Sequence, residues 1–385
     1  MQVQQLPADF RAAADDSYTK FESVARWKEA TKSPAVGFFP VYFPEELAHA
    51  LDMLPVGLNG ASGGVSLDIA TAHTQSFVCS ISRSVFQMAL QGNLDLFEGL
   101  VFSNICDVAR NLSGITKRNL PARYVEYLHY PINNGSGYAV EYLRSEYERL
   151  TQGMEKLSGR QLGRERLNES IAIYNEKRRL QRQLLELRRE SPWLVPYSDW
   201  YSVLRAGSIM PVEQYVDGMK GYLSGLVGAQ GRTQDRIRVA VVGNFCEQPP
   251  VMLMKVIEDA GCYVINDEAL IGSRWLGQAA AGTEDPVAAL ARGYVSNMEP
   301  LTVRFHPGIN KQEYIASFLE GIKAEGVVFL TPKFCEPALY DYMIFKGALD
   351  KTKLPYLHLE YEESSSSFEY ARTMIETFAE GILFD

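Results

Sequence analysis

The chain has 385 residues, which is too many for one ordinary hydrophobic core, so two lobes are expected. Its net charge of -9 argues against a nucleic-acid partner, and no apolar run approaches the ~18 residues that would span a bilayer. With 46% hydrophobic and 22% charged residues and no signal-peptide pattern, the sequence predicts a globular cytoplasmic protein without membrane association.

In chain order, short apolar runs alternate with helical patterns. We predict an N-terminal helical segment at 1–34 that wraps over the first lobe, a first α/β lobe at 35–134, a helical connection at 135–234 and a second α/β lobe at 235–385. Strands are predicted at 35–43, 54–58, 99–105, 124–130, 236–243, 262–267, 327–330 and 354–359. The alternation predicts two doubly wound parallel-sheet lobes, Rossmann- or flavodoxin-like, with added helices. No 20–50-residue repeat is visible, although the lobes can still be structurally similar.

Two charged segments of this chain are ambiguous. The many Arg and Glu residues of 164–189 predict a helix whose charged face meets solvent or another subunit. The acidic stretch Glu360–Glu363 follows a predicted strand, so it could face the cleft between the lobes or simply solvent.

The five cysteines are odd in number and widely spread, which does not suggest a disulfide framework. Cys106, Cys246 and Cys335 follow predicted strands and therefore lie on the carboxyl rim of a parallel sheet, where open α/β sheets bind ligands. Cys79 precedes a predicted helix, and we expect it to join them. Cys262 begins its strand on the opposite rim, so we expect it to be a small buried hydrophobe, the usual fate of a lone cysteine.

A helix amino end favours a thiolate over a thiol, which makes Cys79, Cys106 and Cys335 candidates for shared metal ligation. Three thiolates drawn from two lobes, without a nearby histidine, suit an iron–sulfur cluster better than zinc. The position of Cys246 leaves its role open. The carboxylates of Asp107, Glu247 and Glu336 directly follow rim cysteines, and we expect them to supply helix N-terminal charge.

Other catalytic motifs are missing from the sequence. It contains no GxxxxGK[ST] phosphate loop, no GxSxG nucleophile elbow and no HExxH pair. Aromatic residues near the rim could wall a dry pocket but are expected to be core: Phe38, Phe39, Tyr42, Phe102 and Phe334. Basic residues near the rim could meet phosphates but are expected to face solvent: Arg83, Arg110, Lys117 and Arg118.

Four stretches carry a family resemblance: GFFPVYFPEEL at 37–47, LDLFEGLVFSNICD at 94–107, KFCEP at 333–337 and LPYLHLE at 354–360. They resemble the 2-hydroxyacyl-CoA dehydratase / benzoyl-CoA reductase family, in the family's order and over nearly the whole chain. The length and the stretch GNFCEQPP at 243–250 are most similar to the gamma (C) subunits of ATP-dependent benzoyl-CoA reductases.

The resemblance implies one [4Fe-4S] cluster held by Cys79, Cys106 and Cys335, with Cys246 near the site but not a ligand. It also implies a related larger catalytic subunit, ATP-hydrolysing electron-activator subunits that carry the ATP, a ferredoxin as upstream donor, and an aromatic CoA thioester as substrate. The implied activity is reductive dearomatisation with low-potential electrons. Alternatives are the beta subunit of a 2-hydroxyacyl-CoA dehydratase, a non-catalytic electron-relay or structural subunit, and a two-lobed binding protein without a cluster.

Overall fold

The computed structural model describes residues 5–243, 246, 248–269, 271, 272, 276–297, 303–363, 365 and 367–384. Within these residues, eight strands form two four-stranded sheets. The first sheet contains β1 (Ala35–Phe39), β2 (Leu54–Gly57), β3 (Gly99–Ser103) and β4 (Tyr124–Leu128) in the order β2-β1-β3-β4. The second contains β5 (Ile237–Val242), β6 (Cys262–Asp267), β7 (Gly326–Pro332) and β8 (Tyr356–Tyr361) in the order β6-β5-β7-β8.

All pairings in both sheets are parallel, and the central strands β1, β3 and β7 are buried along their whole length. Burial on both faces explains why these strands are continuous apolar runs rather than alternating patterns. The prediction of two parallel-sheet α/β lobes is confirmed. We call each sheet with its covering helices the first lobe and the second lobe.

The helices of the first half of the chain are α1 (Ala8–Asp16), α2 (Glu22–Thr31), α3 (Glu45–Ala50), α4 (Asp68–His73), α5 (Ser80–Leu90), α6 (Asp107–Asn119), α7 (Ala139–Ser158) and α8 (Arg164–Glu190). Those of the second half are α9 (Tyr197–Ala206), α10 (Val212–Leu226), α11 (Val251–Asp259), α12 (Pro286–Asn297), α13 (Lys311–Gly321), α14 (Glu336–Leu349) and α15 (Glu369–Phe384). No helix in these ranges combines the length and the apolar character needed to cross a membrane. The division of the chain into four segments stays a prediction.

The first strand is shorter than predicted. The sequence pattern predicts a strand that runs to the surface at residue 43, but β1 ends at Phe39. Pro40 has no backbone N–H to donate to a neighbouring strand, so the ladder cannot continue through it. The following residues Val41, Tyr42 and Phe43 are buried rather than exposed. The exit loop of β1 therefore contributes to the core between the lobes.

The two N-terminal helices pack on different parts of the molecule. Helix α2 lies on the first lobe, where Lys28 Nζ is 2.6 Å from Glu98 Oε1. Helix α1 instead packs on α9, and its Phe10 ring lies 5.2 Å from the ring of Tyr215 in α10. Of the two, it is α2 that covers the first lobe directly.

The prediction of a solvated or subunit-facing surface for α8 holds only in part: Arg164, Glu165 and Arg179 are exposed, but other charged residues of this helix are buried. The helix buries Lys177 and Arg178, whose cationic groups lie 3.0 Å from Glu45 Oε1 and 2.5 Å from Glu46 Oε1. Further along, the guanidinium of Arg188 is fully buried and donates to the carbonyl oxygen of Val264 in β6. The carboxylates of α3 and a carbonyl of the second sheet make this burial possible, because buried charges need close partners. One helix thus contacts both lobes.

Candidate functional site

The three candidate cysteines occupy the same kind of position in the fold. Cys79 is the N-cap residue of α5, Cys106 that of α6 and Cys335 that of α14. Cys106 and Cys335 follow β3 and β7, which hold equivalent places in their sheets. Each thiol therefore lies at a helix amino end, where unpaired N–H groups and the helix dipole favour negative charge.

Cys106 interacts with its own helix and with the second lobe. The backbone N–H of Ala109 donates to its Sγ at 3.4 Å. Burial is the largest cause of a raised pKa of the Cys106 thiol, and the N–H groups of Ala109 and Val108 oppose the rise. The carboxylates of Asp107 and Glu336 add to it. Because Glu336 is the first residue of α14, the Cys106 thiol lies within electrostatic reach of the helix that Cys335 caps.

Cys335 lies in a tight turn between β7 and α14. Phe334 before it adopts a left-handed conformation with φ of 63°, and 43% of the residue is exposed. The N–H of Cys335 donates to the carbonyl of Pro332 at 3.2 Å, and the N–H of Lys333 donates to the carbonyl of Tyr361 at 2.8 Å. The end of β8 therefore holds the turn that carries the buried Cys335.

Cys79 is connected to the same end of β8. Its Sγ is 3.2 Å from Ser82 Oγ. Ser80, the next residue, accepts a hydrogen bond at Oγ from the N–H of Glu363 at 3.1 Å, and Ser84 Oγ donates to Glu363 Oε2 at 2.8 Å. The segment after β8 thus contacts both the helix that Cys79 caps and the turn that carries Cys335.

The other two cysteines differ from these three. Cys262 is the first residue of β6 and is fully buried, and burial raises the pKa of its thiol to about 12. Its full burial at the start of β6 matches the small core residue expected there. Cys246 is buried in the exit loop of β5. Glu247, which the sequence predicts to supply helix charge, lies outside the described residues. None of the five cysteines is in a disulfide bond.

The donor chemistry fits an iron–sulfur cluster, although the thiols do not form a closed ligand set. Among the described residues, no three His, Cys, Asp or Glu side chains are arranged to hold one metal ion. The fold does bring three cysteines to helix amino ends, and iron–sulfur clusters are held by thiolates of this kind. Asp107 and Glu336 lie in the first turns of their helices, as predicted.

The aromatic and basic residues near the rim mostly have the roles expected of them. Phe38, Phe39, Tyr42 and Phe102 are buried core residues, and Phe334 is the exposed exception. Arg110, Lys117 and Arg118 are exposed on α6, while Arg83 is partly buried.

Sequence reasoning missed two contacts across the lobes at this rim. Glu363, for which the sequence allows either cleft or solvent, is buried against Ser80 and Ser84. Arg304 donates to the carbonyl of Asn104, two residues before Cys106, at 3.3 Å. No local sequence pattern reveals either contact, because the contacts join residues that are 283 and 200 positions apart in the chain.

Comparison with known proteins gives relatives over almost the full chain. The family model described as 2-hydroxyglutaryl-CoA dehydratase, D-component, matches residues 40–382. The benzoyl-CoA reductase of Thauera aromatica has a C subunit that is 35% identical over 94% of each chain. The beta subunit of (R)-phenyllactyl-CoA dehydratase of Clostridium sporogenes is 26% identical over 93% of this chain and 94% of its own.

A third relative extends the same pattern. The beta subunit of (R)-2-hydroxyglutaryl-CoA dehydratase of Acidaminococcus fermentans is 26% identical over 93% of this chain and 95% of its own. The relatives are thus components of CoA-ester reductases and dehydratases, which confirms the resemblance drawn from the four sequence stretches. The relatives that it matches are subunits of 2-hydroxyacyl-CoA dehydratases and of a benzoyl-CoA reductase. The chain belongs to the 2-hydroxyglutaryl-CoA dehydratase D-component family.

Proposed function

We propose that this chain is the iron–sulfur subunit of an ATP-dependent benzoyl-CoA reductase. In this role it passes low-potential electrons for the reductive dearomatisation of an aromatic CoA thioester. The observation that carries the proposal is the placement of Cys79, Cys106 and Cys335 at three helix amino ends, in a chain 35% identical to the C subunit of a benzoyl-CoA reductase.

These three cysteines would hold one [4Fe-4S] cluster. Such a cluster exchanges single electrons, and three protein thiolates leave one iron with an open position. The protein's own contribution is electrostatic. The amino ends of α5, α6 and α14 favour the thiolate form of their capping cysteines and help to hold the negative charge of a thiolate-bound cluster.

We further propose that the chain works beside a related larger catalytic subunit, with ATP bound on separate electron-activator subunits that a ferredoxin supplies. A surface feature supports a protein partner. Leu339, Tyr340 and Met343 form an exposed apolar stripe on α14, and Tyr340 and Met343 each leave 64% of the residue exposed. Exposed apolar patches of this kind mark interaction sites. We assign this stripe to the larger subunit because it begins one turn from Cys335.

The second candidate is the beta subunit of a 2-hydroxyacyl-CoA dehydratase. The family model and the 26% identical dehydratase subunits favour it, and the cysteine set would be the same. The two differ in the net reaction, which is two-electron reduction of an aryl ring in one and redox-neutral loss of water in the other. A subunit that only relays electrons or stabilises its partner is a third candidate.

The test is iron and acid-labile sulfide per chain, with electron paramagnetic resonance after reduction, on protein purified without oxygen. We expect about four irons per wild-type chain. Cys79→Ala, Cys106→Ala and Cys335→Ala should lose most of this iron, and the matched control Cys262→Ala should keep it. Wild-type protein without iron, even after anaerobic reconstitution, would rule out the redox function.

Assays with the partner subunits then separate the candidates. Turnover of benzoyl-CoA supports the reductase, and turnover of a 2-hydroxyacyl-CoA supports the dehydratase. Activity that partly survives Cys335→Ala in the intact assembly would favour an electron-relay or structural subunit.

A further inference from the structure

Glu363 is a buried carboxylate that crosses from one lobe to the other. It lies two residues after the end of β8 in the second lobe, and only 6% of the residue is exposed. Burying a carboxylate is costly unless its oxygens are hydrogen-bonded. The partners of Glu363 therefore indicate what the position is for.

Both carboxylate oxygens of Glu363 bind groups of the first lobe. Ser84 Oγ in α5 donates to Oε2 at 2.8 Å, and the backbone N–H of Ser62 donates to Oε1. The loop is shaped around this carboxylate at Gly60, where a Cβ atom would clash with Oε1. Gly60 also has φ of 80°, which a glycine adopts without strain.

The backbone of Glu363 completes the contact with the first turn of α5. Its N–H donates to Ser80 Oγ at 3.1 Å, and Ser80 directly follows Cys79. Ser84 lies one helical turn further along α5. Contacts through Ser80 and Ser84 therefore hold the start of α5 from outside the helix, one residue and five residues after the cysteine.

The residues just before Glu363 hold the turn that carries Cys335. The carbonyl of Tyr361 accepts from the N–H of Lys333, and Lys333 Nζ lies 3.1 Å from Glu362 Oε1. Residues 361–363 are therefore a short bridge, which we call the 361–363 bridge. One end of it fixes the Cys335 turn and the other end fixes the Cys79 helix.

We propose that Glu363 is a positioning residue for Cys79, which holds the amino end of α5 against the second lobe at a fixed place relative to Cys335. The inference rests on the proposed cluster, since its purpose is to set the spacing of two cluster thiolates from different lobes. Glu363 itself ligates nothing in this assignment. It acts through Ser80 and Ser84, and the carboxylate also forms part of the wall of a cavity of about 390 Å³.

The test compares Glu363→Ala and Glu363→Gln with a control, Glu360→Gln, which changes an exposed acidic residue of β8 three positions earlier. In cluster-free protein, the rate at which a maleimide labels each cysteine is measured by mass spectrometry. Loss of the carboxylate's bonds to Ser84 and Ser62 should speed labelling of Cys79 about ten-fold in Glu363→Ala, with Cys106 and Cys335 changed less than about two-fold. Glu363→Gln should lie between wild type and Glu363→Ala.

The reconstituted protein supplies a second readout. Glu363→Ala should hold less than half of the wild-type iron or show a changed resonance spectrum, and Glu363→Gln should recover most of both. Ser84→Ala removes the same hydrogen bond from the α5 side, so it tests the inference even where Glu363→Ala does not fold.

Two results would overturn the inference: wild-type labelling of Cys79 in Glu363→Ala and Ser84→Ala, or equally faster labelling of all three cysteines, which indicates general destabilisation. Wild-type protein that binds no iron would reject the proposed cluster instead, while the labelling rates would still report on Glu363.

Discussion

The two lobes have the same strand order but present different surfaces at equivalent helices. Helices α6 and α14 each follow the third strand of their sheet and each begin at a cysteine cap. The outward face of α6 is polar and carries Arg110, Lys117 and Arg118, whereas that of α14 carries the apolar stripe of Leu339, Tyr340 and Met343. A shared architecture thus presents a polar helix face in one lobe and an apolar helix face in the other.

The lobes also differ in how they are fixed to α8. The first lobe contributes Glu45 and Glu46, which form buried ion pairs with adjacent cations of α8. On the second-lobe side, Nε and Nη1 of Arg188 have no hydrogen-bond partner among the described residues. The carboxylates of Asp267 and then Glu258 favour the charged form of Arg188 electrostatically. The α8 cations that attach the first lobe are thus paired directly with carboxylates. The attachment of the second lobe should depend more on whether the carboxylates near Arg188 are protonated.

The largest effect is expected where the first-lobe attachment is broken. Arg178→Met leaves the buried carboxylate of Glu46 without its cation, which should lower the free energy of unfolding by about 3–5 kcal/mol. The neighbouring Arg179 pairs with Glu176 at the surface, so Arg179→Met should cost less than ~1 kcal/mol. Denaturant unfolding measures both. Equal losses in the two variants would mean that the buried pair does not anchor the lobe.

A smaller, pH-dependent effect is expected on the second-lobe side. Burial raises the pKa of Glu258 to about 7 from an ordinary value of 4.5. A raised carboxyl pKa gives stability that is present below pH 4.5 and is lost as the pH rises through about 7, here ~3 kcal/mol. Glu258→Gln removes this loss, so its stability relative to wild type should increase between pH 5 and 8.

Unfolding curves at several pH values test this expectation, with the exposed neighbour variant Asp259→Asn as the control for changes in surface charge. A difference between Glu258→Gln and wild type that stays constant over this pH range would show that Glu258 does not titrate on folding. The attachment of the second lobe would then not depend on the protonation of Glu258.

The smallest effect concerns the difference between the two helix faces. If α14 contacts the larger subunit, Tyr340→Ala should weaken association by about 2 kcal/mol, or roughly 30-fold in Kd. Lys117→Ala on the polar face of α6 is the matched control and should leave the Kd within about two-fold. Sedimentation or calorimetry with the purified larger subunit measures both. Similar Kd values for wild type and Tyr340→Ala would place the contact elsewhere.

Local sequence patterns were enough to predict the two sheets and the position of Cys106 and Cys335 at the carboxyl ends of their strands. The apolar run 327–330 became the buried strand β7, and Cys106 and Cys335 cap the helices that follow their strands, because strand ends and helix starts are encoded by neighbouring residues. The sequence could not predict that the two lobes share a strand order, because two segments can adopt the same strand order without having similar sequences.

Features that depend on distant partners could not be predicted. The burial of Lys177 follows from Glu45, 132 positions away, and nothing in the charged pattern of α8 marks that partner. The role of Glu363 depends on Ser84, 279 positions earlier. In both cases a charged residue that looks solvent-exposed in the sequence is buried because another segment supplies its hydrogen bonds.

Helix α8 has a mechanical consequence for the whole molecule. Its 27 residues extend for about 40 Å and include neither proline nor glycine, the residues at which helices usually kink. A straight helix of this kind, bonded to α3 near its middle and to β6 near its end, resists a clamshell motion between the lobes. The distance between the two lobes should then stay constant while the protein works, so that local changes should come from side chains rather than from the lobes moving apart.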